Sequence, residues 1–291
     1  MTTQENRVWT VVAMMEWATG YFQEKRVADP RLSIEWLLSE VLQVKRLDLY
    51  LQHDRPLATS ELDLLREMIK RRAVHEPLQY ITGSTHFMDA IIRVDPRVLI
   101  PRSETEQLIE ILLEQTLESK SQNLCLLDLG TGSGCIPIAL KQKRPEWSCN
   151  GIDISESAIN LARENARINQ VDVNFEVADL FEFTANPMDK WDIVVSNPPY
   201  ITELEKSEMN EQVLNYEPHQ ALFHTEPLLL YEKIIQFAAK NSAHLFLECN
   251  DKAATQVADI ASRFYTDPSL EKDFDGNNRF VTASVVKNVL F

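Results

Sequence analysis

Strand-like and helix-like segments alternate along the chain from residue 124 onward, and this order limits the fold more than any other feature of the sequence. Short apolar runs that are typical of buried strands occur at 124–130, 148–154, 173–179, 191–196 and 244–249. Segments with the helical spacing of apolar residues lie at 156–170, 227–242 and 252–264. This order predicts βαβ units, whose strands form one mostly parallel sheet covered by helices. The expected fold class is therefore α/β.

The residues before this region predict two further parts. Up to about residue 75 only helical patterns occur, including one after Pro30 and one that opens with Ser60 and Asp63 in the spacing of a capping box. Between 76 and 105, β-branched residues with glycine and proline punctuation predict a β-hairpin. We therefore expect a helical domain at 1–75 that serves in substrate recognition or in support, a β-hairpin connector at 76–105 and an α/β domain at 106–291.

Composition excludes some classes of function. The 291 residues include 44 acidic and 29 basic side chains, a net charge of −15, which disfavours nonspecific binding to nucleic acid. The sequence has no long apolar run and no signal-like N-terminus, so we expect no membrane span and a cytoplasmic location. The four cysteines lack CxxC spacing, so buried free thiols are expected and no metal site is predicted.

A glycine-rich loop follows the first predicted strand. Three of only seven glycines lie within five residues, at Gly130, Gly132 and Gly134, and such a loop lets the backbone turn sharply beside a ligand. Asp153 ends the next strand about twenty residues later, where a carboxylate can bind ribose hydroxyls. The spacing is GxGxG and Asp128 precedes it, which favours an adenosyl cofactor with a cationic end over a dinucleotide. A simple strand-to-helix turn is the structural alternative.

The ends of the later strands carry further candidates. Asp179 lies where an adenine amino group could be bound while Leu180 or Phe181 packs against the ring, although a lone acid at a strand end is more often a helix cap. Ligands of parallel sheets bind outside the carboxyl ends of the strands, so the strand-end residues should converge on one crevice. These residues are Asp128, Asp153, Asp179 and Asn197.

The segment DIVVSNPPYI at 192–201 predicts a strand that stops at a rigid turn. The Asn197 side-chain oxygen and the Pro198 carbonyl would be two fixed neutral acceptors, each able to accept one hydrogen of a substrate NH2 group. Holding both hydrogens favours a pyramidal nitrogen whose lone pair points at an electrophile. We therefore predict Asn197, Pro198 and Tyr200 as catalytic residues, with Tyr200 stacked on the flat substrate group. A proline turn capped by asparagine is the alternative.

These motifs resemble a known family. The glycine loop, GIDIS at 151–155 and NPPY at 197–200 together are similar to class I S-adenosylmethionine-dependent methyltransferases that act on amino or amide nitrogen. Four segments narrow the resemblance to the release factor glutamine methyltransferases, or HemK or PrmC family: EPLQYITGSTHFM, VLIPRSETEQLIE, SNPPYI and YEPHQALF. The resemblance covers the whole chain, since KDFDGNNRFVTASV at 272–285 resembles that family's closing strands.

The resemblance implies a Rossmann-like domain with a mostly parallel seven-stranded sheet, preceded by a small all-α domain and a β-hairpin connector. It implies methylation of the glutamine side-chain amide in the Gly-Gly-Gln motif of bacterial peptide chain release factors, with S-adenosyl-L-methionine as cofactor and S-adenosyl-L-homocysteine as product. The glycine loop would hold the methionine part, Asp153 the ribose, and Asp179 with Leu180 the adenine. The implied cofactor-binding residues are Asp128, Gly130, Thr131, Gly132, Ser133, Gly134, Asp153, Ile154, Asp179, Leu180 and Asn197. The implied substrate-binding residues are Arg102, Glu104, Asn197, Pro198, Pro199 and Tyr200.

The chain departs from the family pattern at a few positions. Ser103 stands where a proline is more common, HTEP at 224–227 replaces a glycine-rich segment, and Asn250 follows LEC where a glycine is usual. His219 and His224 are expected to be surface or packing residues. A base-modifying enzyme that methylates an exocyclic amine in RNA or DNA is the nearest alternative, and a catalytically idle cofactor-binding protein is a second. We expect a monomer.

Overall fold

The computed structural model describes residues 8–117, 123–183 and 190–287. The chain divides into two compact units, which are described separately below. The first consists of Met1–Gly83 together with Glu211–Tyr216, and the second consists of Ser84–Asn210 together with Glu217–Phe291. No helix among the described residues is long and apolar enough to cross a membrane.

The first unit is helical in its described part. Its helices are α1 (Val11–Glu24), α2 (Pro30–Leu42), a 3-10 helix (Arg46–Leu51), α3 (Thr59–Ala73), α4 (Leu78–Thr82) and α8 (Glu211–Tyr216). Apolar faces of the first helices form a common core that includes Met15, Phe22, Leu37 and Leu65. The α8 helix is held by Arg72, which donates to Gln212 at 3.0 Å, and by Tyr216, which donates to the Val74 carbonyl at 2.7 Å.

A buried carboxylate braces α2 within this unit. Glu35 accepts hydrogen bonds from Arg31 at 2.8 Å, from Arg46 at 2.9 Å and from the Tyr50 hydroxyl. Burial alone would raise the pKa of Glu35, but the hydrogen bonds from Tyr50 and the two arginines hold it below its ordinary value. Glu35 therefore stays ionised although its side chain is almost fully buried.

The capping box predicted at Ser60 and Asp63 is wrong. The α3 helix already begins at Thr59, and the carboxylate of Glu61 accepts a hydrogen bond from the Ala58 backbone N–H at 2.7 Å. Ala58 has no side-chain oxygen to complete the reciprocal bond, so only half of a capping box is formed. The spacing rule therefore identified the helix but placed its start about two residues late.

The second unit begins with the predicted β-hairpin, which is confirmed as β1 (Ser84–Phe87) paired antiparallel with β2 (Ala90–Arg93). The hairpin is shorter than the predicted segment because residues 78–82 form the α4 helix instead. The buried Asn165 side chain accepts from the Arg93 N–H at 2.8 Å and donates to the Arg93 and Ser133 carbonyls. This one side chain thus attaches the hairpin to the glycine-rich loop.

A seven-stranded sheet forms the centre of the second unit in the described part of the chain. Its order is β5-β4-β3-β6-β7-β9-β8. The strands are β3 (Cys125–Leu129), β4 (Ser148–Asp153), β5 (Asn174–Val177), β6 (Ile193–Ser196), β7 (His244–Glu248), β8 (Ser269–Lys272) and β9 (Asn278–Ala283). The first five are parallel, and β9 pairs antiparallel with both β7 and β8. The predicted mostly parallel sheet is confirmed.

Helices connect these strands and pack on the sheet. They are α5 (Ser103–Gln115), α6 (Cys135–Lys143), α7 (Glu156–Ile168), α10 (Pro227–Lys240) and α11 (Ala254–Ala261). A further short helix, α9 (His219–Leu222), precedes α10 in the chain. Their apolar faces build a core with the strands that contains Val194, Ile234, Leu245 and Val257. All four cysteines are free, and Cys135, Cys149 and Cys249 are buried.

Candidate active site

A cavity of about 610 Å³ lies at the carboxyl ends of the parallel strands, where ligands of such sheets bind. Most of the residues predicted from the sequence line it: Arg102, Gly130, Thr131, Gly132, Ser133, Asp153, Ile154, Asp179, Leu180, Asn197, Pro198 and Pro199. Four predicted residues do not belong to its wall: Glu104, Asp128, Gly134 and Tyr200. The predicted convergence on one crevice thus holds for the strand ends of β4, β5 and β6.

The glycine-rich loop is attached to the end of β4 by its backbone. Gly130 and Gly132 have φ angles of +76° and +53°, a left-handed conformation that favours glycine. The N–H groups of Gly130 and Thr131 both donate to the Ile152 carbonyl at 2.9 Å, and the Gly132 N–H donates to Asp153 at 2.9 Å. The loop therefore runs close along the floor of the cavity.

Gly134 serves packing at the start of α6. Its φ angle is +78°, and a Cβ atom at this position would lie 2.8 Å from Phe175 Cζ and 3.0 Å from Ala162 Cβ. Both neighbours are buried, so neither can move away easily. Gly134 allows α6 to begin against β5 and α7, which explains why it does not line the cavity itself.

Asp153 lies at the cavity wall with both carboxylate oxygens already fixed. One oxygen accepts from Gly132 and the other accepts from the Ser155 N–H at 2.9 Å. Burial raises the pKa of Asp153, and the backbone hydrogen bonds from Ser155 and Gly132 oppose that shift. Because a carboxylate oxygen has two lone pairs, each oxygen can still accept one hydroxyl of a ribose.

Asp128 is fully buried beneath the loop. Neither carboxylate oxygen has a hydrogen bond of normal geometry within the described residues. Burial raises the pKa of Asp128 to about 7, with Thr131 opposing this shift and the charge of Asp153 adding to it. A buried, unsatisfied acid next to the cavity floor fits a cofactor with a cationic end, although the carboxylate would act on that charge from behind the loop.

Asp179 and the rings of Phe181 and His224 lie together at one part of the cavity wall. The Asp179 carboxylate accepts from the Phe181 N–H at 2.8 Å, so this acid closes a turn over residues 180–182 and not the first turn of a helix. Leu180 and Phe181 nevertheless line the cavity. The Phe181 ring is nearly parallel to the His224 ring, with centroids 6.2 Å apart. This ring contact agrees with the expectation that His224 is a packing residue, and His224 also lines the cavity.

Asn197 follows the last residue of β6 and is oriented by two residues that the sequence did not indicate as a group. Its Nδ2 donates to Thr105 Oγ1 at 3.1 Å, and Thr105 Oγ1 donates to Glu248 Oε2 at 2.7 Å. In the described part of the chain, Asn197 Oδ1 and the Pro198 carbonyl accept no hydrogen bond. The two acceptors predicted for a substrate NH2 group are therefore available.

Arg102 lines the cavity and also fixes a neighbouring loop. Its guanidinium donates to the buried Glu217 at 2.6 Å, and Glu217 also accepts from the Ile100 N–H at 3.1 Å. Glu104 accepts from Ser103 at 3.1 Å and lies away from the cavity wall. Tyr200 packs against the core of the sheet, where burial raises the pKa of its hydroxyl well above the ordinary value. The structure thus does not bring Glu104 and Tyr200 to the wall with the others.

The seven-stranded sheet with its antiparallel β9 is the architecture of a class I methyltransferase. The site agrees with this class, because the glycine-rich loop follows β3, the middle one of the five parallel strands, and the cavity lies at the strand ends. Comparison with known proteins agrees with this class. Residues 105–229 match the family model of the methyltransferase small domain, and residues 13–83 match that of the PrmC N-terminal domain. In the part of the chain that the structure describes, no group of three or more His, Cys, Asp and Glu side chains is arranged to hold a metal ion.

Similar sequences identify the family. The chain is 36% identical to the release factor glutamine methyltransferase of Flavobacterium psychrophilum, over 89% of this chain and 92% of the relative. It is 35% identical to the release factor glutamine methyltransferase of Chlorobaculum tepidum, over 94% and 97% of the two chains. The chain belongs to the release factor glutamine methyltransferase family.

Similar structures support the fold alone. The hMettl16 catalytic domain in complex with MAT2A 3'UTR hairpin 1 matches with a TM-score of 0.54 at 14% identity, over 93% of this chain and 92% of that chain. The T. thermophilus 16S rRNA N2 G1207 methyltransferase matches with a TM-score of 0.50 at 15% identity, over 69% and 49%. At such low identity these matches give no information on the substrate.

Proposed function

We propose that this protein methylates the side-chain amide nitrogen of the glutamine in the Gly-Gly-Gln motif of bacterial peptide chain release factors. The proposed methyl donor is S-adenosyl-L-methionine and the product is S-adenosyl-L-homocysteine. The observation that carries the proposal is the pair of unused acceptors, Asn197 Oδ1 and the Pro198 carbonyl, at a cavity in a chain of this family. The substrate is inferred from the names of the relatives, and the two acceptors explain why the methylated group would be an NH2 group.

The cavity offers each part of the cofactor a suitable surface. Backbone from Gly130 to Ser133 would contact the methionine part, while the carboxylate of Asp153 would accept the ribose hydroxyls. Asp179, Leu180 and the exposed ring of Phe181 would surround the adenine. The volume of about 610 Å³ lies within the range of cofactor sites in proteins. Bound S-adenosylmethionine would supply an electrophilic methyl group next to Asn197.

Asn197 and Pro198 would act by positioning the NH2 group of the substrate. Asn197 and Pro198 each accept one hydrogen of the glutamine NH2 group, which turns the nitrogen lone pair out of conjugation with the amide carbonyl. Both acceptors are neutral, so they stabilise the positive charge that develops on the nitrogen without removing its proton early. The methylated nitrogen is acidic and loses one proton to water, so no general base is required. In this scheme Tyr200 would support the turn from the core side, because it packs against the core and does not line the cavity.

Residues at the cavity and in the helical segment would contribute to recognition of the substrate. Arg102 would contact the substrate from the cavity wall, with Pro199 and Glu104 in supporting positions. The helical segment 1–75 would recognise the release factor, and we propose a monomer that works in the cytoplasm.

A nucleobase in RNA or DNA is the competing substrate, because its exocyclic amine presents the same flat NH2 group. The net charge of −15 weighs against it.

Substitution of the acceptor tests the proposal. Asn197→Ala removes one of the two acceptors, so methyl transfer to a release factor should fall by about 100-fold or more. The affinity for S-adenosylmethionine, measured by calorimetry, should change little. Asn241→Ala is a matched control, because the Asn241 side chain only donates to the Phe237 carbonyl at the end of α10. Equal activity in both variants would contradict the role of Asn197.

A further inference from the structure

The register of the sheet places Glu248 beside Asn197. Ser196 of β6 pairs with Leu247 of β7, so the residues that follow them in the chain lie side by side at the carboxyl edge. Thr105, in the first turn of α5, bridges the two side chains, with distances of 3.1 Å to Asn197 Nδ2 and 2.7 Å to Glu248 Oε2. Thr105 and Glu248 are both buried. Three elements that are distant in sequence therefore meet in one short chain of hydrogen bonds.

The direction of these hydrogen bonds is fixed by elementary chemistry. An ionised carboxylate can only accept, so the single hydroxyl hydrogen of Thr105 must point to Glu248. The Thr105 oxygen can then only accept from Asn197, so the side of the Asn197 amide that faces Thr105 must be the NH2 group. The amide oxygen is consequently turned away from Thr105, toward the cavity that Asn197 lines.

We propose that Thr105 and Glu248 are positioning residues, which hold the Asn197 amide with its oxygen toward the substrate. This inference rests on the proposed function, because it assumes that Asn197 Oδ1 accepts a hydrogen from the substrate NH2 group. Without the network, the amide can rotate by half a turn and present its own NH2 group. Two NH2 groups would then face each other, and the acceptor pair would be lost.

The charge of Glu248 decides the direction of the network. A protonated Glu248 can donate to Thr105, and the Thr105 hydroxyl can then donate to Asn197, whose oxygen is turned inward. Protonation therefore lowers the fraction of molecules in which Oδ1 faces the cavity. Burial raises the pKa of Glu248 to about 7, opposed by the hydrogen bond from Thr105. The reversal is thus expected within the pH range of ordinary assays.

The surroundings of Glu248 contain charges of both signs. Glu104 at the start of α5 adds to the raised pKa, whereas Arg279 on β9 and Arg102 before α5 lower it. Four further titratable groups interact with Glu248: Tyr200, Tyr231, Cys135 and Cys249. Burial raises the pKa of each of these groups, so none of them is ionised near neutral pH. Glu248 is therefore the group that changes charge near pH 7 in this cluster.

The test compares four variants in the full-length enzyme. The methyl-transfer rate at saturating cofactor and release factor is measured from pH 5.5 to 9 for Thr105→Val, Thr105→Ser, Glu248→Gln and Thr116→Val. Thr105→Val should lower kcat by about 10- to 100-fold, because the amide loses its orientation. In the wild type, kcat should rise with pH near pH 7, because Glu248 loses its proton there and more molecules turn Oδ1 toward the cavity. Thr105→Val should also abolish this rise. Thr105→Ser should restore both, and Glu248→Gln should abolish the rise.

Thr116→Val is the matched control. Thr116, the residue that caps the C-terminal end of α5, is also buried, and its hydroxyl donates only to the Leu112 carbonyl. This variant should keep the pH profile of the wild type, which would show that the loss of a buried threonine hydroxyl does not by itself change the profile. Loss of the pH dependence in Thr105→Val and Glu248→Gln would exclude titration of the release factor as its cause. A wild-type kcat or an unchanged pH profile in Thr105→Val would overturn the proposal.

A readout without substrate separates this inference from the proposed function. The side-chain amide resonance of Asn197, assigned by its loss in Asn197→Ala, should shift with an apparent pKa near 7 in wild type and should not shift in Glu248→Gln. Absence of the shift in wild type would overturn the positioning network. If wild type shows the shift but methylates no release factor, the proposed function fails while the network stands.

Discussion

Substitution of Gly134 tests whether the glycine-rich loop depends on close packing as well as on backbone conformation. Gly134→Ala places a methyl group 2.8 Å from Phe175 Cζ and 3.0 Å from Ala162 Cβ, and it also puts a side chain on a residue with φ of +78°. The left-handed conformation costs about 1–2 kcal/mol for an L residue. Forcing a methyl group into a packed core costs about 1–3 kcal/mol more.

The sum is about 2–5 kcal/mol, which lowers Tm by about 4–20 °C for a domain of this size. Thermal unfolding followed by circular dichroism measures this shift. Gly276→Ala is the matched control, because Gly276 has a φ of +86° but no heavy atom within 4 Å of the added Cβ. It should cost only about 1–2 kcal/mol. Equal losses in the two variants would refute the packing argument and leave backbone conformation as the only requirement.

Three further outcomes follow from the buried acids and the cavity wall. In the folded protein Asp128 keeps its proton up to about pH 7, whereas in the unfolded chain it keeps it only below the ordinary pKa of 3.8. The contribution of Asp128 to the free energy of unfolding therefore falls as the pH rises from the lower to the higher pKa. Relative to Asp128→Asn, the wild type should lose about 2 kcal/mol in free energy of unfolding from pH 5.5 to 8, measured with urea. Glu35→Ala should lower the free energy of unfolding by about 2 kcal/mol through lost hydrogen bonds, whereas Glu67→Ala on the exposed face of α3 should leave Tm unchanged. Phe181→Ala should weaken cofactor binding about fivefold in calorimetry with little change in Tm, because its ring is 47% exposed.

The parts of the fold that follow local patterns were predictable from the sequence. Alternating apolar runs located the five parallel strands, and their carboxyl ends placed Asp153, Asp179 and Asn197 at one cavity. The glycine cluster identified the loop after β3 because left-handed backbone favours glycine. Resemblance to the family added β8 and β9, which have weaker patterns of their own.

The parts that depend on distant contacts were not predictable. Thr105 and Glu248 are 143 residues apart, and nothing in either neighbourhood shows that they share a hydrogen bond. Gly134 was predicted to bind the cofactor, but its role in packing depends on Phe175 and Ala162, which only the folded chain brings close. His224 lies in a segment without a motif, so only its position after α9 reveals that it lines the cavity. Short helices such as α4 gave no periodic signal because they have fewer than two turns.

In the proposed function, Asn197 and Pro198 hold the NH2 group of a peptide glutamine while it receives the methyl group of S-adenosylmethionine. The most direct measurement incubates the purified protein with S-adenosylmethionine, labelled in its methyl group, and a bacterial release factor, and locates the label by peptide mass spectrometry. We expect one added methyl group on the glutamine of the Gly-Gly-Gln motif, and none when Asn197→Ala replaces the wild type. Label that enters RNA or DNA and not the release factor would contradict the proposed substrate, and label in neither would contradict the proposed activity.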